Sequence, residues 1–462
     1  MDEKLRAQFT SIVEKIEDIG IERRFVNLSG YPGPANAVWL PGETLYEIYP
    51  RAFSDSGTFK DITGSLPRLK EFGTRFLWLM PIYPIGLVKR KGSSGSPYAV
   101  RDYFTVNPEY GTEQDFSNLV TSAHSLGMKI IIDMVPNHVS PDYNELVNNP
   151  DFIMRDANGN PARKHAAWTD VVDFNYDNPE TRDHVLKIMR FWIEKYDIDG
   201  YRVDVAGMVP LSFWKWAVPE IKKIKPDLFL LAEWESPHLH KTAFNSTYDW
   251  TLYEWMVKVH IEGAPVETLL EWVRIKTETY PQNSLPLRFI ENHDKPRAAG
   301  LFKGEAVFAF LTFIYALDGL PLLYNGQEIG AELYSSLFEK EAVAWNSVNF
   351  ELRDVCHKLI SIRKKTPPLY SKLYEFPEHS AKNDVSVFIK SSGESLIVLI
   401  NFRDTFKEVI LNDELIKKVT GGEIIFNTKS KIAVNENKLT LEPYQAVIIK
   451  LNHLIELREI AN

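Results

Sequence analysis

The chain has 462 residues, with 53 Lys and Arg against 62 Asp and Glu, a formal net charge of −9, and a 44% hydrophobic share. The acidic balance and the scatter of the basic residues exclude a polyanion partner, so no nucleic acid is expected. No apolar stretch reaches membrane-spanning length, and Met1-Asp2-Glu3-Lys4-Leu5-Arg6 leads into no apolar signal core, so a cytoplasmic protein without a membrane partner is expected.

Residues 1–40 read as a helical segment running into the turn Gly30-Tyr31-Pro32-Gly33-Pro34. From residue 41, strand-like apolar runs recur at 45–53, 75–82, 129–135, 200–205, 228–233, 248–253, 287–292 and 320–324. Helical patterns separate most of them. Thr112 and Asp115 form a capping-box start, Phe116, Leu119, Val120 and Ala123 an apolar face, and Gly127 a stop. Asn178-Pro179 opens another helix, with Val185, Ile188, Met189 and Trp192 on one side.

This alternation over residues 41–368 predicts an α/β fold, a (β/α)8 TIM barrel, whose reactive groups gather at the C-terminal ends of the strands. A doubly wound sheet shares the alternation but commonly carries a glycine-rich phosphate loop, and none follows a strand here. Residues 139–176, rich in Asn, Asp and Pro, read as a short lobe inserted after the third strand. Residues 369–462 change character. Short β-branched runs at 385–389, 396–400, 409–410, 424–426 and 446–449 predict a C-terminal all-β sandwich. The lone Cys356 forms no intrachain disulfide and reads as a small core residue. Lys222-Lys223 and Arg363-Lys364-Lys365 read as solvated helix faces.

Four blocks close apolar runs with reactive side chains: Asp133-Met134-Val135-Pro136-Asn137-His138, Gly200-Tyr201-Arg202-Val203-Asp204, Ala232-Glu233-Trp234-Glu235 and Glu291-Asn292-His293-Asp294. Their recurrence at successive strand ends predicts one carboxylate-rich pocket. Arg202 and Asp204 are two residues apart and share a strand face, so the guanidinium is expected to keep Asp204 ionised. Glu233 has Trp234 beside it and no adjacent cation, which suits a raised pKa and proton donation. Asp133, inside an apolar strand, reads first as a partner for buried donors. Glu235 and Glu291 read as supporting or solvated groups.

In order and spacing the four blocks resemble the signature regions of the α-amylase superfamily of glycoside hydrolases. Leu45-Tyr46-Glu47-Ile48-Tyr49-Pro50-Arg51-Ala52-Phe53 is similar to the family's first strand, Gly95-Ser96-Pro97-Tyr98 with Asp102-Tyr103 to its substrate-stacking loop, and Tyr324-Asn325-Gly326-Gln327-Glu328 to its eighth strand end. The resemblance implies Asp204 as nucleophile, Glu233 as general acid/base and Asp294 as a carboxylate holding sugar hydroxyls. It implies Arg202, His138 and His293 around the same sugar, Tyr98 stacked on its ring and Asp133 as support; most tryptophans read as core residues, with Trp234 as a further sugar contact. The partner implied is an α-glucan or maltooligosaccharide, and the function a retaining α-glycosidase cutting α-1,4 bonds.

The resemblance requires no cofactor and offers Asn137 as a ligand for structural Ca2+, with Asp173 and Asn175 as weaker candidates. Calcium-dependent members carry Lys-x-x-His or Lys-His just after the nucleophile, where this chain has Val205-Ala206-Gly207-Met208. Exo-acting members commonly carry Asp three residues before the stacking Tyr. Gly95 stands there, so a cleft open at both ends is expected. A 4-α-glucanotransferase or a phosphate-dependent maltosyltransferase would use the same site, and Gly95-Ser96-Pro97-Tyr98 is reminiscent of the latter's loop. A metal-dependent hydrolase using Asp133, His138, His293 and Asp294 would normally need a His-x-His on the first strand, which Tyr46-Glu47-Ile48-Tyr49 lacks. A non-catalytic scaffold of this fold would lose the three carboxylates, which are retained.

Overall fold

The computed structural model describes residues 27–451, apart from Ser335. The expected N-terminal helix falls on residues 1–26, outside the described residues, and residues 27–40 are turns and extended chain. Eight parallel strands then close a barrel: β1 Leu45–Ile48, β2 Phe76–Leu79, β3 Lys129–Met134, β4 Gly200–Val203, β5 Phe229–Ala232, β6 Ser246–Tyr248, β7 Leu285–Arg288 and β8 Leu320–Tyr324. They follow one another in sequence order around the barrel, and β8 pairs back onto β1. Side chains fill the inside and helices cover the outside, which is why the strands read as short continuous apolar runs. Trp39 sits at the strand starts, its ring 4.9 Å from Phe76 and 6.5 Å from Phe229.

The two helix starts appear as expected. Thr112 and Asp115 cap the helix Glu113–Ser125 reciprocally, and Asn178 accepts from the Glu180 N–H at the head of Pro179–Tyr196.

The sixth strand differs from the expected 248–253. It ends at Tyr248, and the chain is helical over Trp250–Ile261. The turn is enforced by Asp249, whose buried carboxylate accepts from Lys276 Nζ at 2.7 Å and Trp272 Nε1 at 2.8 Å, pulling the backbone off the sheet. β1 also stops early, because Pro50 starts a helical turn, Pro50–Phe53. Arg363 is a second correction. It is fully buried and donates to the carbonyls of Tyr315, Leu317, Gly319 and Leu369. Cys356 is buried in the same helix, Phe350–Lys365.

Between β3 and β4 the chain makes the inserted lobe, anchored by a two-residue antiparallel ladder pairing His138 with Asp173 and Val139 with Val172. Past the barrel come β9 Tyr374–Glu375, β10 Val385–Ser392, β11 Glu394–Asn401, β12 Lys407–Ile410, β13 Glu423–Asn427, β14 Ala433–Asn435, β15 Lys438–Leu441 and β16 Ala446–Leu451. Five of them form the antiparallel sheet β9-β10-β11-β16-β13, and β12-β15-β14 form a second. The helix Asp413–Thr420, which the sequence reading does not anticipate, packs with them.

Candidate active site

Asp204 lies one residue past β4 and Glu233 one residue past β5, each still held by the ladder. The Asp204 N–H donates to Met134 O at 2.8 Å and the Glu233 N–H to Val203 O at 2.9 Å. Their carboxylates are therefore placed by the barrel itself. Val205 follows in the left-handed region (φ 35°), a conformation a β-branched residue resists, and its N–H is thereby aimed at Glu233 Oε2, 2.8 Å away.

Arg202, projecting from β4 and fully buried, organises the site. Its Nη1 donates to Asp133 Oδ1 and Oδ2 at 2.8 and 3.0 Å and to Asp204 Oδ1 at 2.9 Å. Its Nη2 lies 2.9 Å from Glu233 Oε2. The rings of Trp78, Tyr98 and Tyr248 surround the guanidinium carbon at 5.2 to 5.8 Å. The sequence shows no cation beside Glu233 because the cation is on the neighbouring strand.

One guanidinium thus serves three carboxyl groups, too little to hold all three ionised. Burial raises Asp204 to about 6 against the pull of Arg202, with the Asp133 charge adding to the rise. Burial raises Glu233 further, to about 8, helped by Asp204 and Asp294 and opposed by Arg202. Asp133 is raised to about 7 by burial, again against Arg202. The expected order survives, although Asp204 sits above the ordinary carboxylate range rather than below it. Near neutrality Asp204 is mostly ionised and Glu233 mostly carries its proton.

The histidines differ in charge. Burial lowers His138 to about 4, outweighing Asp173 and Asp170. With Asn137 Nδ2 3.2 Å from Nδ1, its proton sits on Nε2, which lies 3.8 Å from Asp204 Oδ2. For His293, burial opposes the charge, yet the Asp294 and Glu47 carboxylates raise it to about 9. Its Nδ1 contacts Glu47 Oε1, and its Nε2 lies 3.2 Å from Asp294 Oδ2 and 2.8 Å from the Tyr98 hydroxyl. Tyr98 in turn donates to Asp133 Oδ2 at 3.2 Å.

Asp204, Glu233, Asp294, Tyr98, His138 and His293 all line one cavity of about 190 Å³ at the C-terminal mouth of the barrel. Asp133 and Arg202 are fully buried and bonded to the lining residues Tyr98 and Asp204. Trp234 is elsewhere. It is 5% exposed, its ring lies over the Cα of Gly207, and it does not line the cavity. Glu235 and Glu291 are buried supports. Glu235 accepts from Lys276 Nζ and Thr251, and Glu291 from Arg297 and the Ala298 N–H. The sequence reading gave no role to Glu47, a carboxylate inside an otherwise apolar strand, which is the signal that singled out Asp133. It also passed over Trp168 and Asp170 of the lobe and Lys91, Leu337 and Phe338, all in the cavity wall.

Of the calcium candidates, Asp173 and Asn175 each have an oxygen engaged by a backbone N–H. Asn137 Nδ2 faces His138 and, at 3.5 Å, Asp173 Oδ1, while Asp173 Oδ2 accepts from the Lys164 N–H at 2.8 Å. Asn175 Oδ1 accepts from the Asp177 N–H. These two oxygens face N–H donors, whereas Ca2+ takes six to eight oxygen ligands. Among the described residues no group of three or more His, Cys, Asp or Glu could hold a metal. Nor is any described helix long and apolar enough to cross a membrane.

Comparison with known proteins identifies the family. The description "Alpha amylase, catalytic domain" matches residues 47–365. An alpha-amylase from Lactobacillus plantarum is 32% identical, with TM-score 0.81 over 89% of this chain and 99% of its own. A noncanonic maltogenic alpha-amylase from Thermotoga neapolitana is 30% identical, with TM-score 0.82 over 89% and 98%. Alpha-amylase 3 of Dictyoglomus thermophilum is 26% identical over 90% of this chain and 94% of its own length. A domain match across most of the chain, on a barrel whose mouth gathers these carboxylates, shows that the protein is a glycoside hydrolase and belongs to the α-amylase superfamily.

Proposed function

We propose that the chain is a retaining α-glycosidase cutting α-1,4-glucosidic bonds in maltooligosaccharides or in starch- and glycogen-like glucans. Asp204 attacks the anomeric carbon as the bond to the leaving oxygen breaks, and Glu233 gives that oxygen its proton. The product of this step is a glycosyl ester of Asp204. Water then adds to the anomeric carbon, Glu233 takes up a proton from it, and the ester bond opens with the original configuration restored.

The observation that carries this reading is the single Arg202 guanidinium lying 2.9 Å from both Asp204 and Glu233, whose proton affinities are set apart at about 6 and about 8. Carboxyl groups that share one guanidinium are close neighbours, which suits the roughly 5–5.5 Å spacing of direct displacement better than the wider gap that houses a water. Neutral His138 offers its Nε2–H to a sugar hydroxyl, His293 is held beside the same subsite by Glu47 and Tyr98, and Asp294, the most exposed of the three carboxylates, offers acceptors.

A fluorinated glycosyl donor should label the peptide containing Arg202-Val203-Asp204, and Asp204→Asn should abolish both labelling and turnover while leaving the circular dichroism spectrum unchanged. The first product seen by NMR should be the α-anomer. Release of the β-anomer, or a label on Glu233 or Asp294, would reject the assignment. Transfer to a sugar hydroxyl or to phosphate would share the first step, and maltoheptaose digests with and without phosphate distinguish these acceptors from water.

A further inference from the structure

The position of the proton donor gives the cleft a direction. Glu233 closes β5 and must stand beside the leaving oxygen, so the leaving sugars run out on the β5 side. In the barrel order, β5 lies opposite β1, with β8 and β2 on either side of β1. The sugar that is retained, and any attached to its non-reducing side, must therefore extend toward the loops after β8 and β2. What those loops build decides how many sugars fit there.

They build a wall. Leu337 and Phe338 come from the loop after β8, Lys91 and Ser96 from the loop after β2, and Asp170 from the inserted lobe, all lining the cavity. Lys91 Nζ forms an ion pair with Asp170 Oδ1 at 2.9 Å, donates to Ala167 O at 3.2 Å and lies 5.8 Å from the centre of the Phe338 ring. Three separate chain segments thus meet on one ammonium group. Asp170 is buried, so the pair is only partly open to water.

The wall is stitched from behind. The Ser94 N–H donates to Phe338 O at 2.9 Å and the Ser93 N–H to Glu339 Oε1 at 3.0 Å. The buried Arg51 guanidinium donates to the carbonyls of Gly95, Ser94 and Leu337 at 2.9 to 3.1 Å, binding the two loops to one anchor. A wall held in this way is preorganised before substrate arrives.

This alters the meaning of Gly95. The residue has φ 74°, and a Cβ there would meet Arg90 Nε at 2.7 Å and Ile85 Cγ2 at 2.9 Å. A side chain at 95 would point at its own loop, so the missing Asp leaves no gap in this wall. The cavity of about 190 Å³ is also smaller than the roughly 300–1,000 Å³ of sites that engulf drug-sized ligands.

We propose that the Lys91–Asp170 ion pair, backed by Phe338, closes the glycon end of the cleft, so that the enzyme removes a short unit, glucose or maltose, from the non-reducing end of an α-glucan. The proposal rests on the retaining-glycosidase reading and deepens it. Lys91 and Asp170 are specificity-determining residues, with no part in bond breaking.

Maltoheptaose carrying a fluorophore at its reducing end tests it, with fragments resolved by chromatography at early times. The wild-type enzyme should leave the label on maltohexaose or maltopentaose and release only unlabelled glucose or maltose. Lys91→Ala and the isosteric Asp170→Asn should shift the label to shorter fragments and release unlabelled maltotriose and longer chains. The swap Lys91→Asp with Asp170→Lys should return the pattern toward wild type, which a merely structural role would not do. Internal cuts by the wild-type enzyme from the first time point, or an unchanged fragment pattern in both folded single variants, would overturn the closed end while leaving the glycosidase reading standing. A folded wild-type enzyme that leaves maltoheptaose intact would overturn both.

Discussion

At the scale of single residues, the proposed division of labour between Asp204 and Glu233 rests on burial and on neighbouring carboxylates that raise Glu233 further than Asp204, against an Arg202 guanidinium 2.9 Å from each, and it has a pH signature. On the proposed mechanism activity requires Asp204 ionised, so kcat/KM should fall as pH drops through about 6. The same proposed mechanism requires Glu233 protonated, so kcat/KM should fall again as pH rises through about 8. Glu233→Gln should lower turnover of maltooligosaccharides by about 10²- to 10⁴-fold, the usual worth of a positioned proton donor. A glycosyl fluoride, whose leaving group needs no proton, should keep reacting to the covalent stage in this variant and should lose the alkaline limb of the profile while retaining the acid one. An unchanged alkaline limb would assign that titration to another group. The four blocks were legible because each places a reactive side chain at the end of an apolar run. Glu47 was not, because what gives it a role is a histidine 246 residues away. Lys91 and Asp170 were illegible for the same reason, since a lysine in a glycine- and serine-rich loop looks solvated until its partner from the lobe is in place.

Among the secondary-structure elements, the barrel's repeat was readable from alternating runs and caps, and its errors fall where a tertiary contact overrides the local pattern. Residues 248–253 have a strand's aromatic and β-branched content, yet the buried pairing of Asp249 with Lys276 and Arg288 ends the strand and turns the chain into a helix. Arg363 looked solvated in a basic run, but three of its four carbonyl contacts, to Tyr315, Leu317 and Gly319, fasten the last barrel helix to the end of the helix Ala306–Ala316. The loop after β4 is tuned as closely. A Cβ on Gly207 would come within 2.1 Å of the Trp234 ring, and Trp234 immediately follows Glu233. Gly207→Ala should therefore destabilise the protein by about 1–3 kcal/mol, as overpacking does, and lower kcat by displacing Glu233. Adding Trp234→Phe should recover part of the melting temperature if the two clash as the geometry says. Equal melting temperatures for the wild type and Gly207→Ala would mean that the ring moves freely, against this packing.

In the whole molecule, the central strands of the C-terminal sheet are buried on both faces, which explains why they read as unbroken apolar runs. Along β10 and β11, Phe388, Leu396, Val398 and Ile400 face the barrel's core, while Val385, Val387, Ile389, Ile397 and Leu399 face a second core under β12, β15 and the helix Asp413–Thr420. On the barrel side they cover the helix Ala306–Ala316, in which every residue is buried. A helix apolar on all sides has no solvent face to present. Phe310 and Phe313 of that helix lie 4.9 and 5.6 Å, centre to centre, from the ring of Phe402, just beyond β11. Arg403 ties the next residue to the barrel by donating to Val259 O at 2.7 Å and Ala264 O at 2.8 Å. None of Asp204, Glu233 and Asp294 lies in this domain, and its expected contribution is to stability. A chain ending at residue 369 would expose that helix and is expected to be recovered in aggregates or without a cooperative melting transition. Phe402→Ala in the full-length chain gives a finer measure, with an expected loss of about 3–5 kcal/mol. Because the site is held by strand ends and Arg202 rather than by this interface, kcat at a temperature well below the melting point should stay near wild type in Phe402→Ala. A soluble, fully active chain ending at residue 369, or a Phe402→Ala enzyme as stable as wild type, would show that the barrel closes its own core without the sheet.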